Sequence, residues 1–112
     1  MARPMDAPTY HCKQWRTTRA TILARDGYTC QICGCILSEG RKGKRSAVVD
    51  HKRPAELRPD LFFDPDNLWA ICKADHDKVC QAIEKTHWPD AEAIAARKAA
   101  YRPVGLDGYP VK

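Results

Sequence analysis

Val49-Asp50-His51-Lys52-Arg53-Pro54, then Asn67-Leu68-Trp69-Ala70-Ile71-Cys72, then Lys73-Ala74-Asp75-His76-Asp77 is the stretch whose reading decides the fold. The paired valines of Ser46-Ala47-Val48-Val49-Asp50-His51 predict a short strand that Pro54 stops, and Leu68 to Ile71 predicts its return. Between them, Asp64-Pro65-Asp66-Asn67 is a turn cluster, and Leu61, Phe62 and Phe63 are apolar enough to plug into a core beneath the connection. Helix is expected from about Lys73 to Lys85. Upstream, Cys30-x-x-Cys33 forms a knuckle with Gly34 easing its turn, and Cys72 lies at the far end of the returning strand.

Working outward, the spacing predicts a helix over Lys13 to Arg25 with Trp15, Ile22 and Leu23 buried. Asp26-Gly27 ends it, since glycine takes the left-handed backbone of a helix stop. A further alanine-rich helix is expected from Asp90 to Tyr101, with Asp90 as its N-cap. At 112 residues the chain is one domain at most. A core of that size is only modestly stabilising, so a metal, disulfides or a partner chain is expected to reinforce it.

The six cysteines are read as metal ligands. The Met1-Ala2-Arg3-Pro4 start has no apolar secretory stretch, and no run approaches transmembrane length, so the expected location is the cytoplasm, with no membrane association. Disulfides are rare there, and Cys-x-x-Cys is better read as a metal half-site. Cys30, Cys33 and Cys72 supply three soft ligands to a tetrahedral zinc ion. The fourth place is open between Asp75, three residues after Cys72, and the alternatives Cys35 and Cys80.

Nineteen basic against fourteen acidic residues give a formal charge of +5, which suits a polyanionic partner without requiring one. Arg16, Arg19, Lys52, Arg53 and Lys78 are the candidate phosphate contacts, with the Arg41 to Arg45 loop as an extension. For any one of these residues, a solvated surface charge is the simpler reading.

Asp50, His51 and His76 are the candidates for chemistry. Phosphodiester hydrolysis needs a base for water and a Lewis acid for the charge on the leaving oxygen. Histidine suits the first task near neutral pH, and a carboxylate with an imidazole suits a divalent ion. On a regular strand, Asp50 and His51 would point to opposite faces, so one shared site requires the strand end to curl.

Trp15 to Gly27, Cys30-x-x-Cys33, Val49-Asp50-His51-Lys52-x-Pro54, Leu61-Phe62-Phe63-Asp64, Asn67-Leu68 and Cys72-Lys73-x-x-His76-Asp77 together resemble small phage and prophage HNH endonucleases. The resemblance covers roughly residues 15–85, and Gly105 to Val111 looks like a segment seen after the nuclease hairpin. It implies an α+β, ββα-metal (His-Me finger) fold with a structural zinc knuckle and flanking helices. The implied organisation is an arm over 1–12, a nuclease domain over 13–88, and a C-terminal helix and tail over 89–112. By position, His51 would be the general base, Asp50 and His76 would hold the catalytic ion (Mg²⁺, Mn²⁺ or Ni²⁺), and Asn67 would hold the connecting loop and orient His51. The chain departs from the family pattern at Asp75, where cysteine is usual, and at Cys80, where a basic residue is common.

The expected function is divalent-metal-dependent hydrolysis of DNA with weak sequence preference, by a monomer or weak dimer. Phage packaging proteins are partners by family association alone. A non-catalytic, zinc-stabilised DNA-binding module is the competing expectation.

Overall fold

The computed structural model describes residues 12–40 and 43–101. The expected arm over residues 1–11, Arg41 and Lys42 of the basic loop, and the tail from residue 102 lie outside the described residues. Helix α1 runs Lys13–Arg25, with the Cys12 side chain accepting from the Trp15 N–H at its start. Trp15, Ile22 and Leu23 are its buried residues. It ends at Asp26, after which Gly27 takes φ 64° and Tyr28 φ 51°.

Strands β1 (Ala47–His51) and β2 (Leu68–Cys72) form one antiparallel pair, with Val48 opposite Ile71, Asp50 opposite Trp69 and His51 opposite Leu68. β-branched and aromatic side chains favour this pleated, half-buried setting. All five residues of β2 are buried. A strand so enclosed must have its outer edge satisfied by other groups. The end of α1 and the cysteine knuckle do this: Arg25 donates to the Leu68 carbonyl, the Asp26 carboxylate accepts from the Ala70 N–H, and the Gln31 N–H donates to the Ala70 carbonyl. Along the outer edge of β1, the Ala47 carbonyl accepts from Arg19 and the His51 carbonyl from Lys98.

The connection carries two short 3-10 turns, Pro59–Leu61 and Pro65–Asn67. Phe62 plugs beneath it at 4% exposure, with Phe63 packed against the same core. After β2 the chain is helical from 73 to 87, beyond the expected stop at Lys85. It comprises α2 (Lys73–Asp75), a π-helical turn (His76–Cys80) and α3 (Gln81–His87). Helix α4 (Ala91–Ala100) follows, its Asp90 cap accepting from the Ala93 N–H, and buries Ile94, Ala95 and Lys98. Among the described residues, no helix is long and apolar enough to cross a membrane.

Candidate active site

The knuckle turns back on itself at Gly34 (φ 83°), where the Cys30 N–H donates to the Cys35 carbonyl. That turn delivers a third thiol from the same segment. The sulfurs of Cys30, Cys33, Cys35 and Cys72 all lie within 4.8 Å of one another. The Cys33 and Cys72 N–H groups point at the Cys30 sulfur, at 3.4 and 3.3 Å. Such donors stabilise a thiolate, and four thiols converging at this distance fit the donor set of a structural zinc ion.

Asp75, another candidate for the fourth place, stands beside this set. Its Oδ2 is 3.2 Å from the Cys30 sulfur and 3.3 Å from that of Cys72. Cys35, one of the alternatives for the fourth place, is the thiol that the Gly34 turn brings in with the other three. Cys80 is outside the cluster altogether, buried on the π-helical turn against Asp50, Lys98 and Glu84. Burial pushes the Cys30 thiol up to about 11, and burial likewise raises Cys72 and Cys35. A cation is what would make thiolates favourable here.

At the other end of the hairpin, Asp50 and His51 border the same two openings while keeping regular register in the strand pair, opposite Trp69 and Leu68. A cleft of about 420 Å³ is lined by Trp15, Arg19, Asp50, His51 and His76. A second, of about 160 Å³, is lined by Asp50, His51, Glu56, His76, Glu84 and Trp88.

His51 is 5% exposed. Its ring stacks on Trp15 with centroids 5.3 Å apart and tilts against Phe62 at 4.7 Å. His51 Nε2 lies 3.0 Å from the Phe62 carbonyl oxygen. A carbonyl can only accept, so Nε2 carries the hydrogen and Nδ1 the lone pair of the neutral ring. Burial in this aromatic cage lowers the imidazole pKa, outweighing the Phe62 carbonyl and Asp50, which raise it. The ring therefore stays in its basic, neutral form near pH 7.

Asp50 uses its two oxygens differently. Oδ2 accepts from Trp69 Nε1 at 2.9 Å and from Lys98 Nζ at 3.0 Å. Oδ1 faces His76 Nε2 at 3.7 Å. That gap is too long for a hydrogen bond, but suits two ligands of one divalent ion, each at roughly 2.0–2.2 Å. His76 reaches the site from the π-helical turn, a distortion that frequently re-aims a side chain at functional sites.

Asn67 is 1% exposed and clamps the main chain just after His51. Its Oδ1 accepts from the Arg53 N–H at 2.9 Å, and its Nδ2 donates to the Arg53 carbonyl at 3.1 Å. Of the expected phosphate contacts, Arg16 and Lys78 are exposed, and Arg19 borders the larger cleft. Lys52 lies over the Trp69 ring, 5.7 Å from its centroid. Arg53 is already paired: the Nε–Nη2 edge of its guanidinium donates to the two carboxylate oxygens of Glu92, at 2.8 and 2.9 Å. A phosphate would have to compete with this bidentate pair for the guanidinium.

Sequence reasoning missed Lys98 and Glu84. The available signal was positional: Lys98 lies four residues after Ile94 and three after Ala95, on the apolar stripe of α4. Lys98 is completely buried, and a lysine there requires carboxylate partners.

No family model matches the chain. A curated relative, described as a probable HNH endonuclease of Lactococcus phage SK1, is 33% identical over 73 residues, which cover 62% of this chain and 71% of the relative. Among solved structures, the chain is similar to the crystal structure of the HNH endonuclease of deep-sea thermophilic bacteriophage GVE2 with manganese ion. The TM-score is 0.55 and the identity 32%, over 70% of this chain and 80% of that one.

Proposed function

Because the chain belongs to the HNH endonuclease family, we propose that it hydrolyses DNA phosphodiester bonds, with His51 as general base and a catalytic divalent ion held by Asp50 and His76. The single observation that carries this reading is the convergence at one cleft of a neutral imidazole and the Asp50–His76 oxygen–nitrogen pair 3.7 Å apart. When bound, the ion supplies Lewis-acid stabilisation of the charge on the scissile phosphate and leaving oxygen. His51 takes the proton of the attacking water on Nδ1. Its Nε2–H is spent on the Phe62 carbonyl, which fixes the ring's orientation. Asn67 keeps the turn after His51 from relaxing.

The two openings differ in charge. Glu56 and Glu84 line the smaller one, and their carboxylates repel a phosphodiester backbone. Arg19 borders the larger one, and Arg16 is exposed on the same helix. DNA therefore engages the α1 side, through contacts that are largely sequence-independent and weaken as salt rises. Cys30, Cys33, Cys35 and Cys72 hold the structural zinc that ties the knuckle to the end of β2. One such site cuts one strand, so double-strand cleavage takes two chains or two visits. The same reading puts the enzyme in the cytoplasm of a bacterial host or phage-infected cell.

The decisive test is incubation of supercoiled plasmid with Mg²⁺, Mn²⁺ or Ni²⁺. Wild type should yield relaxed or linear DNA in at least one of these ions, and His51→Ala should not. A zinc-braced binding module would instead shift DNA without cutting it. Equal plasmid integrity with both proteins across the metal series refutes the nuclease reading.

A further inference from the structure

Lys98 is wholly buried, yet lies on α4, outside the ββα hairpin. An ammonium group has three N–H donors, and all three are spent here. Nζ lies 2.7 Å from Glu84 Oε2, 3.0 Å from Asp50 Oδ2 and 2.8 Å from the His51 carbonyl oxygen. A buried charge is tolerated only when so fully paired, and losing one partner is costly.

We propose that Lys98 is a positioning residue for hydrolysis, acting by fixing Asp50 and the end of β1; this rests on the nuclease reading above. Two features of the geometry carry the inference. First, Lys98 and Trp69 both donate to Asp50 Oδ2, which leaves Oδ1 as the oxygen turned toward His76. Asp50 thus offers a divalent ion one oriented oxygen. Second, the ammonium also grips the His51 carbonyl, so a single group bridges the two consecutive residues whose side chains must share one cleft. The lysine thereby ties the Asp50 carboxylate to the main chain of His51 at the end of β1. Glu84 sets the lysine in turn, and the net charge of Asp50, Glu84 and Lys98 stays negative, which favours a cation beside Oδ1.

The test uses the zinc-loaded full chain as wild type, Lys98→Met, Lys98→Arg and Trp69→Phe, with His51→Ala as the inactive control. Plasmid cleavage is measured at saturating Mn²⁺, and Mn²⁺ affinity is measured without DNA by electron paramagnetic resonance. Lys98→Met should lower kcat by about tenfold to a hundredfold, the scale of a misplaced reacting group. KM for plasmid should stay within a factor of about two, because Lys98 touches no DNA-facing surface. Mn²⁺ affinity should change less than the rate does, since losing the neighbouring positive charge offsets the loosening of Asp50. Lys98→Arg should recover part of the rate. Trp69→Phe removes only the other donor to Oδ2 and should lower kcat several-fold, so it tests the same claim even if Lys98→Met does not fold. Lys98→Met and Trp69→Phe both within twofold of wild-type kcat overturn the proposal. So does a loss of Mn²⁺ affinity in step with melting temperature, which would mark Lys98 as a fold anchor alone. If wild type neither cuts nor binds Mn²⁺, the nuclease reading falls and the proposal falls with it.

Discussion

Replacing Cys35 with serine tests the thiol cluster through a count of protons. Zinc binds thiolates, and each ligating thiol gives up its proton on coordination. The sulfurs of Cys30, Cys33, Cys35 and Cys72 converge within 4.8 Å, so loading zinc at pH 7 should release about four protons, given ordinary thiol values near 8.5 in the zinc-free chain. Three thiols and a carboxylate would release about three. The count is insensitive to whether the zinc-free chain is folded, since an exposed thiol is also protonated at this pH. Titration calorimetry in buffers of different ionisation enthalpy reads it directly. Cys35→Ser should drop the release by about one proton and weaken zinc markedly, in a site whose binding free energy is of order 10–16 kcal/mol and doubles as folding energy. Asp75→Asn should leave the count at about four, because Asp75 Oδ2 sits beside the sulfurs of Cys30 and Cys72 outside the four-thiol set. Cys80→Ser should also leave it unchanged. A wild-type release of about three, with tight binding lost in Asp75→Asn and kept in Cys35→Ser, would refute the four-thiol assignment.

Three further outcomes are expected. The His51 imidazole, buried against Trp15 and Phe62 and facing Asp50, Lys98 and Glu84, should titrate by NMR below the ordinary value of about 6.5. Its contribution to stability is then present above the unfolded value and declines as pH falls from there through the folded one; a titration above 6.5 would contradict the cage argument. Asn67→Ala removes both bonds to the Arg53 main chain and should cost about 1–3 kcal/mol in urea unfolding, with plasmid cleavage reduced as the turn after His51 loosens. An unchanged unfolding midpoint would show that the clamp is dispensable. Phe62→Ala deletes a buried ring packed on Trp15, His51 and Phe63 and should cost about 3–5 kcal/mol, while raising the His51 pKa toward its ordinary value as water enters. A loss under about 1 kcal/mol would show that the connection carries no core.

Much of the fold was legible because its signals are local. Paired valines, the apolar run before Cys72, the Asp26-Gly27 stop and the Asp90 cap each act within a few residues, and α1 buries the three side chains its sequence nominates. The π-helical turn was not legible, since nothing in His76 to Cys80 departs from ordinary helix composition. The pairing of Arg53 with Glu92, far along the chain on α4, was not legible for a related reason.

The sequence by itself determined the secondary-structure order, the cysteines available to an ion and the pairing of Asp50-His51 with a distant His76. These follow from residue type and spacing along the chain. Only the tertiary structure decided that Cys35 joins the thiols, that the Phe62 carbonyl selects the His51 tautomer, and that a lysine from the last helix divides the work of the two Asp50 oxygens. Each of these depends on distances between atoms far apart in the chain, and spacing carries no record of how burial leaves such groups to satisfy one another.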